Sequence, residues 1–412
     1  MLSPARLWSI VGLVTAGMII AYLDRTNLSV ALAAPEFRAL FNLTDNDRGL
    51  LNSAFFWSYA LLQIPAGYMV DRWGVKKPFA LGFLAWSLIS AGTAMASTFY
   101  QLFGLRLLLG AGEAVVTPAG MRWIRYHVPE RQRGLAVGIF FAGAKIGPAI
   151  GAPVAVWLMK LYGWEGMFLV LGLGCLVWLI PWMTLVKDDD RALEADAARA
   201  PGAMSVAFGR VMGSPAMWGI LIGTFCYNYF NYFCMTWLPA YFVERRGLSQ
   251  EAMGEFTMYA FGSMAVVATA AGFAADRLIS AGRDPIRVRK AFTIAGFLVA
   301  STEIFGALSD SNTIALTMAV ISLAGLGLAT ANYWALTQTL MPGAAIGRVA
   351  GAQNMASNLS GIAAPIITGW LKEWTGSYDA PMIAICFFLL LGLSSYLFLV
   401  RPKFVPKGVA LS

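Results

Sequence analysis

The chain has 412 residues, 58% of them hydrophobic and only 13% charged, with a formal net charge of +8. A water-soluble domain carries about 25% charged residues, so a soluble fold is excluded and a polytopic helical membrane protein is expected. The basic residues are scattered over loops rather than massed on one segment, which favours membrane orientation over nucleic-acid binding as their purpose.

A bilayer-spanning helix needs about 20 apolar residues. Runs of that kind fall near 7–31, 49–69, 78–97, 100–121, 135–159, 166–186, 215–242, 252–274, 290–308, 312–338, 348–371 and 380–400, which makes twelve. With the N-terminus placed in the cytoplasm, 21 Lys and Arg fall on cytoplasmic segments, 6 on the opposite side and 3 within the spans. The asymmetry fits the positive-inside rule and predicts a multi-pass protein of a bacterial inner membrane with both termini cytoplasmic. The first run is read as an uncleaved helix, because Asp24 and Arg25 would interrupt a signal peptide just before its cleavage site. The long polar stretch 187–213 divides the chain into an N-terminal bundle (1–186) and a C-terminal bundle (214–412) of six spans each. That division predicts an all-α fold built by internal duplication.

A repeated loop supports the duplication. Between the second and third spans the chain reads Gly67-Tyr68-Met69-Val70-Asp71-Arg72-Trp73-Gly74-Val75-Lys76-Lys77, and between the eighth and ninth Gly272-Phe273-Ala274-Ala275-Asp276-Arg277. The first copy resembles the cytoplasmic loop motif of the major facilitator superfamily. Within that superfamily, Tyr22-Leu23-Asp24-Arg25-Thr26-Asn27-Leu28-Ser29, Leu105-Arg106-Leu107-Leu108-Leu109-Gly110-Ala111-Gly112-Glu113 and Thr236-Trp237-Leu238-Pro239 are similar to the first, fourth and seventh helices of the anion:cation symporters. The resemblance implies twelve helices in two pseudo-symmetric bundles and transport of organic anions such as sugar acids, hexuronates or phthalate-like acids.

An ionisable group at bilayer depth costs roughly 2.5–3.5 kcal/mol even on lenient scales, so it marks a functional site by default. Five such groups occur here: Asp24, Arg25, Arg106, Glu113 and Lys145. Asp24 and Arg25 are adjacent and project about 100° apart, so one plausible arrangement turns Arg25 to a cavity and Asp24 to a neighbouring helix. Arg106 and Glu113, seven residues apart, share a helix face with Gly110 between them, read as leaving room for a ligand. Arg106 is the first candidate to grip a carboxylate, because a guanidinium presents a planar fork of matching geometry. The competing reading makes Arg106 and Glu113 a structural clamp. The resemblance implies protonation at Asp24 and Glu113 and anion binding or coupling at Arg25 and Arg106. Substrate competing with a carboxylate for the same cation would link the two occupancies. Lys145 departs from the sugar-acid pattern. It points to a smaller or more highly charged anion, such as a dicarboxylate or an aromatic acid, or else neutralises Glu113 or Asp24, or snorkels along the helix.

The second half carries amides and aromatics instead of buried cations. Asn231 lies on the seventh span, Trp334 on the tenth, and Asn354 and Asn358 one turn apart on the eleventh. The resemblance implies that Tyr22, Tyr59, Trp334 and an eleventh-helix Asn face substrate; interhelical hydrogen bonding is the alternative for each Asn. Asp71 and Arg72 are read as a cytoplasmic gate latch. Four cysteines show no metal-ligand spacing, and the single histidine, His127, falls in a basic loop and is read as solvated. No metal, cofactor or nucleic-acid partner is expected, nor an enzyme, for no nucleophile–base pair or phosphate loop appears. The expectation is a monomeric proton symporter that imports a small mono- or dicarboxylate by alternating access, with an organic-anion exchanger or uncoupled facilitator as the alternative.

Overall fold

The structure, a computed structural model, describes residues 3–187, 208–341 and 346–405. Most of the 187–213 stretch, expected as a cytoplasmic linker, therefore lies outside the described residues. Helices dominate, and no strand occurs among the described residues. In chain order they are α1 (Pro4–Ala33), α2 (Pro35–Phe41), α3 (Asp45–Trp73), α4 (Lys76–Gly92), α5 (Phe99–Glu113), α6 (Val116–His127), α7 (Glu130–Gly174) and α8 (Leu179–Leu185). There follow α9 (Phe208–Met212), α10 (Pro215–Thr236), α11 (Leu238–Glu244), α12 (Gln250–Ser280), α13 (Pro285–Ala300), α14 (Glu303–Ala307), α15 (Asn312–Leu340), α16 (Ile346–Thr375) and α17 (Asp379–Phe398).

Local chemistry sets the boundaries. Ser3 caps α1 ahead of Pro4, and Thr44 with Asp47 forms a reciprocal capping box that starts α3, each satisfying amides that the first turn leaves without partners. Helix α7 is long enough for two spans, and Gly163 divides them at φ 71°, a backbone angle that only glycine adopts freely. Among the described residues, eight helical segments are long and apolar enough to cross a bilayer by length and composition, one of them the kinked Leu135–Leu185 stretch. The predicted spans that stand out less, in α3, α10 and α16, carry Asn52 and Gln63, Asn228 and Asn231, and Gln353 with Asn354 and Asn358.

Two compact units emerge. Unit 1 falls within Met1–Pro201 together with Met235–Met258, and unit 2 within Gly202–Cys234 and Tyr259–Ser412. In unit 1, α1 lies tightly on α7: a Cβ at Gly147 would meet the Tyr22 Cβ at 2.6 Å and the Ile19 carbonyl oxygen at 2.8 Å. Small residues permit that close approach where lipid offers no hydrophobic drive for association. Phe83 stacks on Trp178 with ring centroids 4.3 Å apart, and Trp178 stacks on Trp182 at 4.9 Å. Both indoles donate to backbone carbonyls, Trp178 to Leu13 and Trp182 to Lys76, at 2.9 Å each. In unit 2, α13 and α15 meet as closely, with Gly325 against Val299. Tyr229 packs on Phe388 with centroids 4.1 Å apart.

Candidate functional site

The deep charges of unit 1 converge. Helix α1 carries Asp24 and Arg25, α5 carries Arg106 and Glu113, and all four are buried. Arg25 Nε donates to Glu113 Oε2 at 2.8 Å. Its guanidinium carbon lies 4.2 Å from the Tyr22 ring centroid, 4.5 Å from Phe55 and 4.6 Å from Tyr59. Each such contact contributes about 0.5–2 kcal/mol when desolvated, so three aromatic faces and one carboxylate hold this cation in a single pose. Tyr59 is itself fixed, stacked on Phe55 and with its hydroxyl 3.3 Å from that of Thr117.

Asp24 points elsewhere. Its Oδ1 accepts from the Ser90 hydroxyl of α4 at 2.9 Å and from the Asn27 amide at 3.2 Å. The arrangement expected from the 100° offset is thus the one observed, with Asp24 turned to a neighbouring helix and Arg25 lining an interior recess. Among the described residues, Asp24 Oδ2 and Glu113 Oε1 are buried without a hydrogen-bond partner.

Arg106 lines the same recess as Arg25. It is only 6% exposed, and its Nη2 has no hydrogen-bond partner among the described residues. Both Asp24 and Glu113 act on it electrostatically, yet Glu113 bonds to Arg25, not to Arg106. Among the described residues the Arg–Glu clamp that ties helices together is made by Arg25 of α1 with Glu113 of α5, not by Arg106. The recess is lined by Arg25, Asn52, Phe55, Phe56, Arg106, Met235 and Thr236. A buried guanidinium with an unused donor is costly unless something anionic fills it.

One local reading is corrected. Gly110 does not make room for a ligand. A Cβ there would collide with the Phe55 carbonyl oxygen and the Ser58 hydroxyl, so this glycine lets α3 and α5 touch. The Ser58 hydroxyl seals the same contact by donating to the Leu107 carbonyl at 2.5 Å.

The remaining predicted residues are distributed as follows. Lys145 is half-buried on α7 and is not part of the recess lining. Asn231, Asn358 and the half-buried Trp334 and Asn354 belong to unit 2, on α10, α16, α15 and α16. Arg72 is exposed at the end of α3, its Nη1 3.4 Å from the Tyr68 hydroxyl, and the Asp71 side chain lies outside the described residues. In the second copy of that motif, Asp276 pairs with Arg289 at 3.0 Å. His127 is half-buried rather than solvated: its ring stacks on Trp123 with centroids 4.7 Å apart, and Nδ1 lies 3.0 Å from the Trp123 carbonyl oxygen. The i, i+4 spacing of the two rings was the available signal.

Sequence reasoning missed Ser90, Asn27, Asn52, Phe55 and Phe56. Ser90 and Asn27 are ordinary small polar residues in apolar runs, and only the fold brings Ser90 to Asp24. No group of three or more His, Cys, Asp or Glu able to hold a metal occurs among the described residues.

Buried charges meeting at an interior recess of a helical, membrane-spanning chain suit a carrier of small solutes, and similarity to known proteins gives the class. The chain belongs to the Major Facilitator Superfamily, whose model matches residues 14–365. It is 29% identical to a D-galactonate transporter of Escherichia coli O6:H1, with 93% of each chain covered. It is also 29% identical to the hexuronate transporter of Bacillus subtilis, over 98% of this chain and 96% of that one. In fold it is similar to a bacterial homolog of the human lysosomal transporter Spinster, crystallised in an inward-facing, occupied conformation (TM-score 0.82, 17% identity, 99% of this chain and 100% of that chain covered).

Proposed function

We propose that this protein imports an organic carboxylate across a bacterial inner membrane together with a proton, by alternating access, with both termini in the cytoplasm. The single observation that carries the reading is Arg106: a buried guanidinium at the recess whose Nη2 has no hydrogen-bond partner among the described residues, beside an Arg25 already engaged by Glu113. Arg106 receives the cargo carboxylate. Arg25, with Tyr22 and Tyr59, forms the second wall of the site. Cargo approaching Arg25 competes with Glu113 for it, and a released Glu113 takes up a proton in preference to remaining a bare buried charge. Asp24, held by a hydroxyl and an amide rather than by a cation, changes protonation without breaking an ion pair and is the principal proton acceptor, with Glu113 the secondary one. Asn231, Trp334, Asn354 and Asn358 of unit 2 serve to recognise the rest of the cargo, Lys145 adds positive charge for it, and Asp71 and Arg72 latch the cytoplasmic side. The galactonate and hexuronate carriers among the relatives support a carboxylate as cargo.

The fixed Arg25–Glu113 pair also favours a second reading, anion exchange, since a permanently paired carboxylate carries no proton. Proteoliposome uptake of D-galactonate and D-glucuronate separates the two. Accumulation driven by an imposed inward pH gradient supports symport, whereas counterflow alone supports exchange. Arg106→Gln is expected to raise the KM for either probe about ten- to hundredfold, the worth of a charged hydrogen-bonded pair. Uptake that is indifferent to this substitution rejects the assignment of Arg106.

A further inference from the structure

The recess has a neutral polar group in its lining as well as its cations. Helix α3 carries Asn52, Phe55, Phe56 and Tyr59 at offsets of three, four and seven residues, which puts them on one face, and all four are buried. Asn52, Phe55 and Phe56 line the recess together with Arg25 and Arg106. Phe55 meets Phe56 edge to face with centroids 5.1 Å apart and stacks on Tyr59 at 5.2 Å. This packing holds the helix face that presents Asn52.

Asn52 is tied on two sides, loosely. Its Oδ1 accepts from the Ser29 hydroxyl of α1 at 3.3 Å, and its Nδ2 donates to the Thr236 carbonyl at 3.5 Å. A backbone carbonyl only accepts, so the amide nitrogen is the end that faces Thr236. Both contacts are longer than a typical protein hydrogen bond of about 2.7–3.0 Å. An Asn side chain offers two N–H donors and an oxygen with two lone pairs, and these contacts use one donor and one lone pair. Among the described residues, one donor and one lone pair therefore remain on a side chain that is only 7% exposed and lines the recess.

The other side chains of the lining do not offer both. Arg25 and Arg106 only donate, and Phe55, Phe56 and Met235 are apolar. A carboxylate only accepts and is drawn to a guanidinium. A hydroxyl donates and accepts, as the spare half of the Asn52 amide does. Asn52 and Arg106 share one small recess, so the hydroxyl that suits Asn52 is the one nearest the carboxylate.

We propose that Asn52 is a specificity-determining residue: it binds the hydroxyl on the carbon next to the cargo carboxylate, and so selects 2-hydroxy acids over acids that lack this group. The inference rests on the proposed function, in which Arg106 receives the carboxylate. When cargo brings no hydroxyl, Asn52 keeps its contacts with Ser29 and Thr236. No buried group is then stranded, and the discrimination is that of one neutral hydrogen bond rather than the far larger penalty of an unpaired site.

The experiment is initial-rate uptake of D-galactonate and of its 2-deoxy analogue by proteoliposomes of wild-type, Asn52→Leu, Asn52→Ala and Arg106→Gln protein. The readout is the ratio of the two kcat/KM values within each protein, which does not depend on how much of that protein is active. The wild type is expected to favour D-galactonate about three- to tenfold. Both Asn52 variants are expected to bring the ratio close to one, by raising the KM for D-galactonate and leaving that for the analogue nearly unchanged. Leu matches the size of Asn and Ala is smaller, so either variant serves if the other is not recovered folded. A wild-type ratio near one overturns the proposal without any variant. Variants that raise both KM values equally and keep the wild-type ratio overturn it too, since that is the mark of a tie between α1 and α3 and nothing more. In either case, uptake that still falls with Arg106→Gln leaves the proposed function standing. Absence of D-galactonate uptake by the wild type overturns the assignment of Asn52, and D-glucuronate uptake then decides the proposed function separately.

Discussion

The two units bury polarity of different kinds. In unit 1 the deep groups are ions: Arg25 on Glu113, Asp24 on Ser90 and Asn27, and Arg106 beside the recess. In unit 2 they are mostly neutral pairs: the Tyr227 hydroxyl 2.6 Å from that of Thr330, the Gln353 amide donating to Thr224 at 3.0 Å, and Asn332 donating to its own helix backbone. The exception is Glu303, buried at the start of α14 and receiving the Ser322 hydroxyl at 2.7 Å. Among the described residues the deep ions thus gather in unit 1 and most of the neutral hydrogen-bonded pairs in unit 2. Charge recognition needs few residues held rigidly, because interactions between ions in a low-dielectric interior are strong. Recognising the remainder of a solute takes several weak and individually replaceable contacts.

The sharpest way to break this comparison is to remove one ion from the paired set. Arg25→Gln leaves Glu113 buried without its partner, a change that costs about 3–5 kcal/mol. The variant is expected to show a large drop in melting temperature in detergent and poor recovery from the membrane. Arg25→Gln combined with Glu113→Gln should restore most of the stability, since it leaves no uncompensated charge, but not uptake. If the single variant melts like wild type, the deep pair is not the constraint described here. Next in size, the ten- to hundredfold loss expected for Arg106→Gln should appear as a raised KM with stability preserved or improved, because that guanidinium's Nη2 has no hydrogen-bond partner among the described residues.

Much of this was legible in the amino-acid order and some was not, for a physical reason. Residues whose burial is expensive announce themselves: Asp24, Arg25, Arg106 and Glu113 stand out in apolar runs, and the structure finds all four buried. Which of them pair is a tertiary fact. Intrahelical spacing made Arg106 and Glu113 look like partners, whereas the fold gives Glu113 to Arg25, 88 positions earlier. Gly110 misled for the same reason, since a missing side chain serves a neighbouring helix as readily as a ligand. Ser90, Phe55 and Phe56 left no trace at all, being cheap to bury anywhere in a membrane. The duplicated Asp-Arg loop was visible, but the sequence did not announce that Asp276 is held by Arg289 from the following helix.

A third prediction compares the two carboxylates. Asp24 is held by a hydroxyl and an amide, Glu113 by a guanidinium, and only a carboxylate not bonded to a cation is well placed to change protonation without breaking an ion pair. Asp24→Asn is therefore expected to keep counterflow of D-galactonate within a few-fold of wild type while losing accumulation driven by a pH gradient. Glu113→Gln, by contrast, releases Arg25 and should weaken both. The reverse pattern would exchange the two roles and make Glu113 the principal proton carrier.

The smallest effect belongs to unit 2. The Thr330 hydroxyl also lies 3.0 Å from the Leu326 carbonyl oxygen, to which it donates, so its bond with Tyr227 is one in which the tyrosine donates. Tyr227→Phe removes that donor and leaves the threonine hydroxyl's proton still engaged, so no buried donor is stranded. The cost is at the modest end for a neutral hydrogen bond, about 1 kcal/mol, and the expected outcome is a melting temperature lowered by a few degrees at most with the KM for carboxylates barely changed. Ser90→Ala in unit 1 deletes a single hydroxyl too, but that hydroxyl faces Asp24, so its effect should appear in pH-gradient-driven accumulation rather than in stability. Equal responses from these two substitutions would erase the distinction between an ionic unit and a neutral one, because the distinction requires that the same atom count for more beside a charge.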